Sequence, residues 1–278
     1  MRRYYYSSLD VEEKRVYDAI ARAIDGGYDQ AIVDAPISID RMIVVFTYAF
    51  NDNPQWLSTD PRLSFSTRGS QFTFNLGKVY TDDECKKAVE YFDGIIKSVR
   101  EKCKGLEDYK KALYVAKIFI EKCTYGFPEG DNGSSKSQLA TSVALSNKTV
   151  CAGLSRAFKY VCDGLGIDCI VVNGDTIRNI VPRSEKDKEE PTQEGTVDVY
   201  KALRATYTSI NGRVSSDNKV NYVAHAWNMA KIDGKWLVID VNATQNANKD
   251  GVFKRLYNFC VPENILTGYI WNKNVTPR

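Results

Sequence analysis

Apolar residues Val16, Tyr17, Ile20, Ala21 and Ile24 recur at helical spacing on one face of a segment whose other positions are polar. Asp10 precedes this run and Glu13 follows it by three, a reciprocal capping pair, so a helix is predicted from Asp10 until Gly26-Gly27 stops it. A second helix is predicted from Asp40 to Phe50, broken by Asn51-Asp52-Asn53-Pro54. The period then changes to two: Leu63, Phe65 and Thr67 alternate across a turn at Arg68-Gly69-Ser70 from Phe72, Phe74 and Leu76, which reads as a hairpin. Thr81-Asp82-Asp83-Glu84 opens a long helix to about Cys103, and Gly105 separates it from another that runs through Cys123. Residues 1–105 are therefore expected to form a mostly helical region with one hairpin.

Tyr125 to Lys136, rich in Gly, Pro and Ser, reads as a surface loop. From Cys151 the helical period returns, with Leu154, Phe158, Val161 and Leu165 on one side and Gly166 as the stop. Ile167 to Val172 is a continuous apolar run, as expected of a strand buried on both faces, and Asn173-Gly174 closes it. Residues 178–221 form a polar, charge-mixed insertion that reads as a solvated loop, or alternatively as a lid over a cleft. Tyr222 to Ile232 and Trp236 to Val241 then form two strands joined at Asp233-Gly234, a strong hairpin signal.

Composition narrows the function classes. A chain of 278 residues with 43% hydrophobic and 26% charged residues can bury a substantial core. It contains no run of about 18 apolar residues, so membrane insertion is not expected. A net charge of +3, with lysines and arginines interleaved among acids, gives no basic stripe for nucleic acid. Seven scattered cysteines without a Cys-x-x-Cys pair favour neither a disulfide framework nor a zinc site. With no apolar stretch behind Arg2-Arg3, a cytoplasm-like setting with reduced thiols is the expectation, and secretion is the alternative if a leader was removed.

Candidate chemistry centres on the single histidine, His225, the one ordinary proton shuttle near neutral pH. Its best partner is Cys151, which opens a helix, where free backbone N–H groups and the helix dipole favour a thiolate. With Asp233-Gly234 as the turn, paired residues on the two strands have numbers that sum to about 467, so Asn242 would face His225 with Asp240 as its same-face diagonal neighbour. Cys151, His225 and Asp240 thus suggest nucleophile, base and orienting carboxylate of a thiol acyl-transfer site. Gln138 is a candidate oxyanion donor by its chemistry. Asn228 is a candidate supporting group, and Trp227 a candidate cleft wall, although a tryptophan in such a strand more commonly packs a core.

Three segments carry a more specific signal. Asn147 to Phe158, continued by Leu165-Gly166-Ile167, resembles the nucleophile helix of the bacterial transglutaminase-like superfamily; His225-Ala226-Trp227-Asn228 and Asp233 to Val241 resemble its histidine and aspartate strands. The resemblance spans about residues 110 to 245. It implies an α+β, papain-like core in which a nucleophile helix packs on an antiparallel sheet, over 106–278, with a Cys151–His225–Asp240 triad and no cofactor. Partners would be a protein or peptide substrate and, for transfer chemistry, a primary-amine acceptor. The family includes acyltransferases, peptidases, amidases and inactive modules, so a peptide-binding module is the alternative to an enzyme. Two departures stand out: Val241-Asn242-Ala243 replaces a Val-Thr-Trp run, and Thr141-Ser142 replaces an aromatic-glycine pair.

Overall fold

The computed structural model describes residues 3–131, 135–178, 221–246, 256–266 and 268–277. Most of the 178–221 insertion lies outside the described residues.

The predicted helix starts form as the sequence dictates. Asp10 and Glu13 cap α1 (Val11–Asp25) reciprocally, and Thr81 and Glu84 do the same for α3 (Asp82–Lys102). Between them, α2 (Ile39–Asp52) is capped by the Ser38 side chain and buried along nearly its whole length. A strand not expected from the sequence, β1 (Gln30–Asp34), joins the expected hairpin of β2 (Phe65–Arg68) and β3 (Gln71–Asn75) in an antiparallel sheet of order β1-β3-β2. Its alternation Ala31-in, Ile32-out, Val33-in is too short to stand out, and pairing with β3 decides it. After α4 (Asp108–Lys122), the two-residue strand β4 (Thr124–Tyr125) runs parallel to β5 (Lys148–Thr149), with the short helix α5 (Ala140–Leu145) between them.

The second half is built on α6 (Cys151–Leu165) and an antiparallel five-stranded sheet. Its strands are β6 (Cys169–Arg178), β7 (Asn221–Ile232), β8 (Lys235–Ile239), β9 (Phe259–Val261) and β10 (Tyr269–Trp271), in the order β10-β6-β7-β8-β9. Gly166 ends α6 in the left-handed region at φ 80°, the usual helix stop. Asp233 and Gly234, both at positive φ, make the two-residue β7–β8 turn. The observed register, Asn228 with Ile239 and Ile232 with Lys235, is the one the turn implies.

Two expectations are corrected here. Asn173-Gly174 does not close β6, which continues to Arg178. Gly174 serves another purpose: a Cβ there would lie 2.2 Å from the Ile270 carbonyl oxygen and 2.7 Å from the Trp227 ring, so glycine lets β10 and the indole close on the strand. β8 ends at Ile239, and Val241–Asn246 forms a helix, α7, so Asn242 never pairs across from His225.

Both faces of this sheet are covered, which explains why β6 reads as continuously apolar. On one face Cys169, Ala230, Ile232 and Ile239 share a core with α3, α4 and α6. On the other, Ile170, Val172, Trp227, Met229, Val238 and Trp271 share a core with α1, α2 and β3. The N-terminal region therefore packs directly on the sheet that carries His225, on the face of Trp227. No helix among the described residues is long and apolar enough to cross a membrane.

Candidate active site

Cys151 is the first residue of α6, where the backbone N–H groups have no intrahelical acceptor. It is buried, and packs with Ala152 against Val171 and Ala226 on β6 and β7. The approach to the helix is clamped rather than side-chain capped. Val150 N–H and Thr149 Oγ1 both donate to the Ser137 carbonyl oxygen, at 3.3 and 3.0 Å, and Ser142 Oγ donates to Thr149 Oγ1 at 2.8 Å. Ser142 thus takes part in holding the nucleophile strand-to-helix turn, while Thr141 Oγ1 donates to the Leu57 carbonyl at 2.6 Å; this is what occupies the positions of the missing aromatic-glycine pair.

His225 lies on β7 and Asp240 immediately after β8. The imidazole Nε2–H donates to Asp240 Oδ2 at 2.7 Å, although the two residues are not paired in the ladder. Departure of the chain from the sheet at Ile239 brings the carboxylate to the ring by a route other than the diagonal pairing expected. Nε2 is thereby taken, and Nδ1 is the ring nitrogen left for the thiol of Cys151, with which His225 is also hydrogen-bonded. Asp240 is completely buried. Its Oδ1 accepts from Ala243 N–H at 2.8 Å, and its Oδ2 also accepts from the Tyr269 hydroxyl at 2.7 Å.

The electrostatics follow from this cage. Burial alone pushes the His225 imidazolium down, but the charge and hydrogen bond of Asp240, with the hydrogen bond that the ring donates to Cys151, outweigh it and raise the ring to about 10. Burial likewise pushes the Asp240 carboxyl up. The positive ring and the donors from Ala243 and Tyr269 overcome that, and the carboxyl ends below the ordinary value. The pair is therefore charged at neutral pH, with a cationic ring directed at the sulfur.

Sequence reasoning did not find Tyr269 or Asn258. Tyr269 arrives on β10, 29 residues beyond Asp240, its hydroxyl accepting from Asn258 Nδ2 at 2.9 Å and its ring set edge-on to His225 at 6.1 Å. It supplies an aromatic beside the histidine that the Val241-Asn242-Ala243 run lacks. No local pattern signals this, because it depends on β10 pairing with β6.

The supporting candidates fall in different places. Trp227 has no exposed surface; its ring stacks at 5.9 Å on His225 and meets Tyr269 edge-on at 5.1 Å, so it backs the histidine and walls no cleft. Asn228 points to the other face of β7, where its Nδ2 donates to the carbonyls of Ser155 and Ile170 and pins α6 to the sheet. Gln138 ends a 3₁₀ turn, Lys136–Gln138, that lies across the first turn of α6. Gly153 permits that contact: a Cβ there would sit 2.3 Å from the Ser137 carbonyl oxygen and 3.0 Å from that of Leu139.

A family model of the transglutaminase-like superfamily matches residues 97–241, just over half of the chain, from the last turns of α3 through the aspartate. The chain belongs to the transglutaminase-like superfamily. No curated protein matches it. Among solved structures, this superfamily member is similar to a TGase (14% identity, TM-score 0.37, 66% of this chain and 44% of that one). It is also similar to a candidate cysteine protease from Cytophaga hutchinsonii (12%, 0.33, 75% and 64%) and a candidate protease from Parabacteroides distasonis (6%, 0.30, 76% and 37%). The chain spans less than two thirds of the length of each of these structures.

Proposed function

We propose that this superfamily member is a cysteine-dependent enzyme that cleaves or transfers peptide or glutamine-type amide bonds through a thioester, with hydrolysis as its main outcome. The observation that carries the reading is the buried His225–Asp240 pair at 2.7 Å with the other ring nitrogen facing a cysteine at a helix N-terminus. In this reading the Cys151 sulfur attacks as a thiolate, with the ring of His225 as its cationic partner. The Cys151 sulfur adds to the carbonyl carbon, and the charge that develops on oxygen is met by first-turn N–H groups of α6, each such donor being worth about 3 kcal/mol of barrier. The C–N bond then breaks as His225 protonates the departing nitrogen, leaving a thioester. Water, deprotonated by the now neutral ring, attacks that thioester and releases acid and thiol; a primary amine in place of water gives transfer. Asp240 keeps the ring in one orientation and stabilises its cationic form throughout.

One equivalent of iodoacetamide is expected to label Cys151 well ahead of the other six thiols, and His225→Ala is expected to abolish that preference. Uniform labelling of accessible cysteines would instead favour a peptide-binding module that keeps the fold without the chemistry. Incubation with a peptide library, with and without a primary amine, followed by mass spectrometry, separates hydrolysis from transfer; Cys151→Ser must remove either product.

A further inference from the structure

Asp240 serves two neighbours at once. It immediately precedes α7, where its Oδ1 accepts from Ala243 N–H at 2.8 Å and its carbonyl from Thr244 N–H at 3.1 Å, the bonds of a helix N-cap. A capping aspartate is free to turn either oxygen toward the first-turn N–H groups, because rotation about its last side-chain bond is broad. Here Oδ2 faces away from the helix, to the Nε2–H of His225, and the Tyr269 hydroxyl donates to that same oxygen at 2.7 Å. The hydroxyl has one proton, and its direction is decided by Asn258. The Asn258 Nδ2 donates to the phenol oxygen at 2.9 Å, so the phenol proton is left for Asp240. Burial, with the Asp240 charge beside it, pushes the hydroxyl up and keeps it protonated. Asn258 is tied to the aspartate a second time, since its carbonyl accepts from Asp240 N–H at 2.9 Å. It does so at φ 50°, left-handed backbone that asparagine tolerates better than most side chains. Asp240, Tyr269 and Asn258 thus close a ring of three hydrogen bonds, and two of its members come from beyond residue 241, where the family match ends.

We propose that Tyr269, with its proton aimed by Asn258, is a positioning residue of the thiol site: it holds Asp240 Oδ2 on the His225 ring and so keeps the other ring nitrogen turned to Cys151. The proposal rests on the thiol-enzyme reading above and extends that site to β10 and to the residue that leads into β9.

Two variants separate this role from general support of the fold. Tyr269→Phe keeps the ring and loses the hydroxyl, and Asn258→Gly keeps the left-handed backbone and the carbonyl and loses the amide. A hydroxyl that only donated to a carboxylate fixed by other groups would, when removed, leave Oδ2 richer in charge, and His225 would bind its proton as tightly as before or more tightly. A hydroxyl that positions the carboxylate lets it turn away when removed, and the proton affinity of the ring, read by NMR titration, is expected to fall at least about tenfold. Alkylation of Cys151 by iodoacetamide at neutral pH is expected to slow by about tenfold or more, roughly the rate equivalent of one hydrogen bond to a charged group, while the other six thiols label as slowly as in the wild type. Asn258→Gly is expected to move both readouts the same way and to add little on top of Tyr269→Phe, because the two act through one proton. A His225 titration that stays in place or moves to higher pH, labelling that rises at all thiols together, or fully additive losses would each overturn the positioning role, while selective labelling of the wild type would still uphold the thiol-enzyme reading. A wild-type protein that labels all accessible thiols alike would overturn that reading, and this proposal with it.

Discussion

At the scale of single residues, the unusual element is a charged pair kept in a buried place. One histidine in the whole chain means that its ring proton signals in NMR belong to His225 without assignment work. The ring is expected to titrate near 10, and Asp240→Asn, which removes the charge that outweighs burial, is expected to bring it down toward or below the ordinary 6.5. An unchanged titration in that variant would mean that some other group sustains the cation. Tyr269→Phe removes one donor to the same carboxylate while leaving its charge. Its expected cost is about 1.5–3 kcal/mol of stability, the usual worth of a hydrogen bond to a charged group, read from urea unfolding.

At the scale of elements, two helical glycines make opposite predictions. Gly153→Ala would place a methyl 2.3 Å from both the Ser137 carbonyl and Thr149 Oγ1, so the Lys136–Gln138 turn must move off α6; a loss of about 1–3 kcal/mol is expected, with slower acylation of Cys151. Gly94→Ala in α3 meets nothing within 4 Å and should gain about 0.5–1 kcal/mol from helix propensity alone. Equal effects in urea unfolding would contradict the close approach at Gly153. The same contrast explains what the sequence made legible. Capping boxes at Asp10 and Thr81, the α6 period and the Asp233-Gly234 turn are local signals, and the elements they announce are present. Local patterns also nominated Cys151, His225 and Asp240; in the fold His225 and Asp240 are hydrogen-bonded and Cys151 heads α6. Features settled by contacts far apart in the chain were not readable: the pairing of β1 with β3, the passage of β6 through Gly174, the turn of Asp240 out of the sheet, and the arrival of Tyr269 on β10. Gly174 misled because a glycine that ends a strand and one that admits a neighbouring backbone look alike in sequence.

For the molecule as a whole, buried titratable groups set a slope of stability against pH. Asp52, at the end of α2, is pushed up to about 6 by burial, despite donors from the Tyr5 and Tyr6 backbone. His225 is raised to about 10, and burial pushes the Cys123 and Cys260 thiols up to about 12. In every one of these cases the folded chain holds its proton more tightly than the unfolded chain does, so stability falls as pH rises through each interval between the two values. Those intervals run from about 4 to 6 for Asp52, 6.5 to 10 for His225 and 9 to 12 for the thiols. Asp240 opposes the trend, since its lowered carboxyl contributes stability that is lost as pH drops through and below 3.8. The maximum should therefore lie on the acid side of neutrality, near pH 4–5, with a steady decline toward alkali. Guanidinium chloride unfolding at pH 4.5, 7 and 9.5 should give stabilities in that descending order. In Asp240→Asn the decline between 7 and 9.5 should flatten, because the ring then titrates alike in both states, while the decline from 4.5 to 7 persists through Asp52. A wild-type stability that rises from 4.5 to 9.5 would show that the His225–Asp240 pair does not hold its proton in the folded protein.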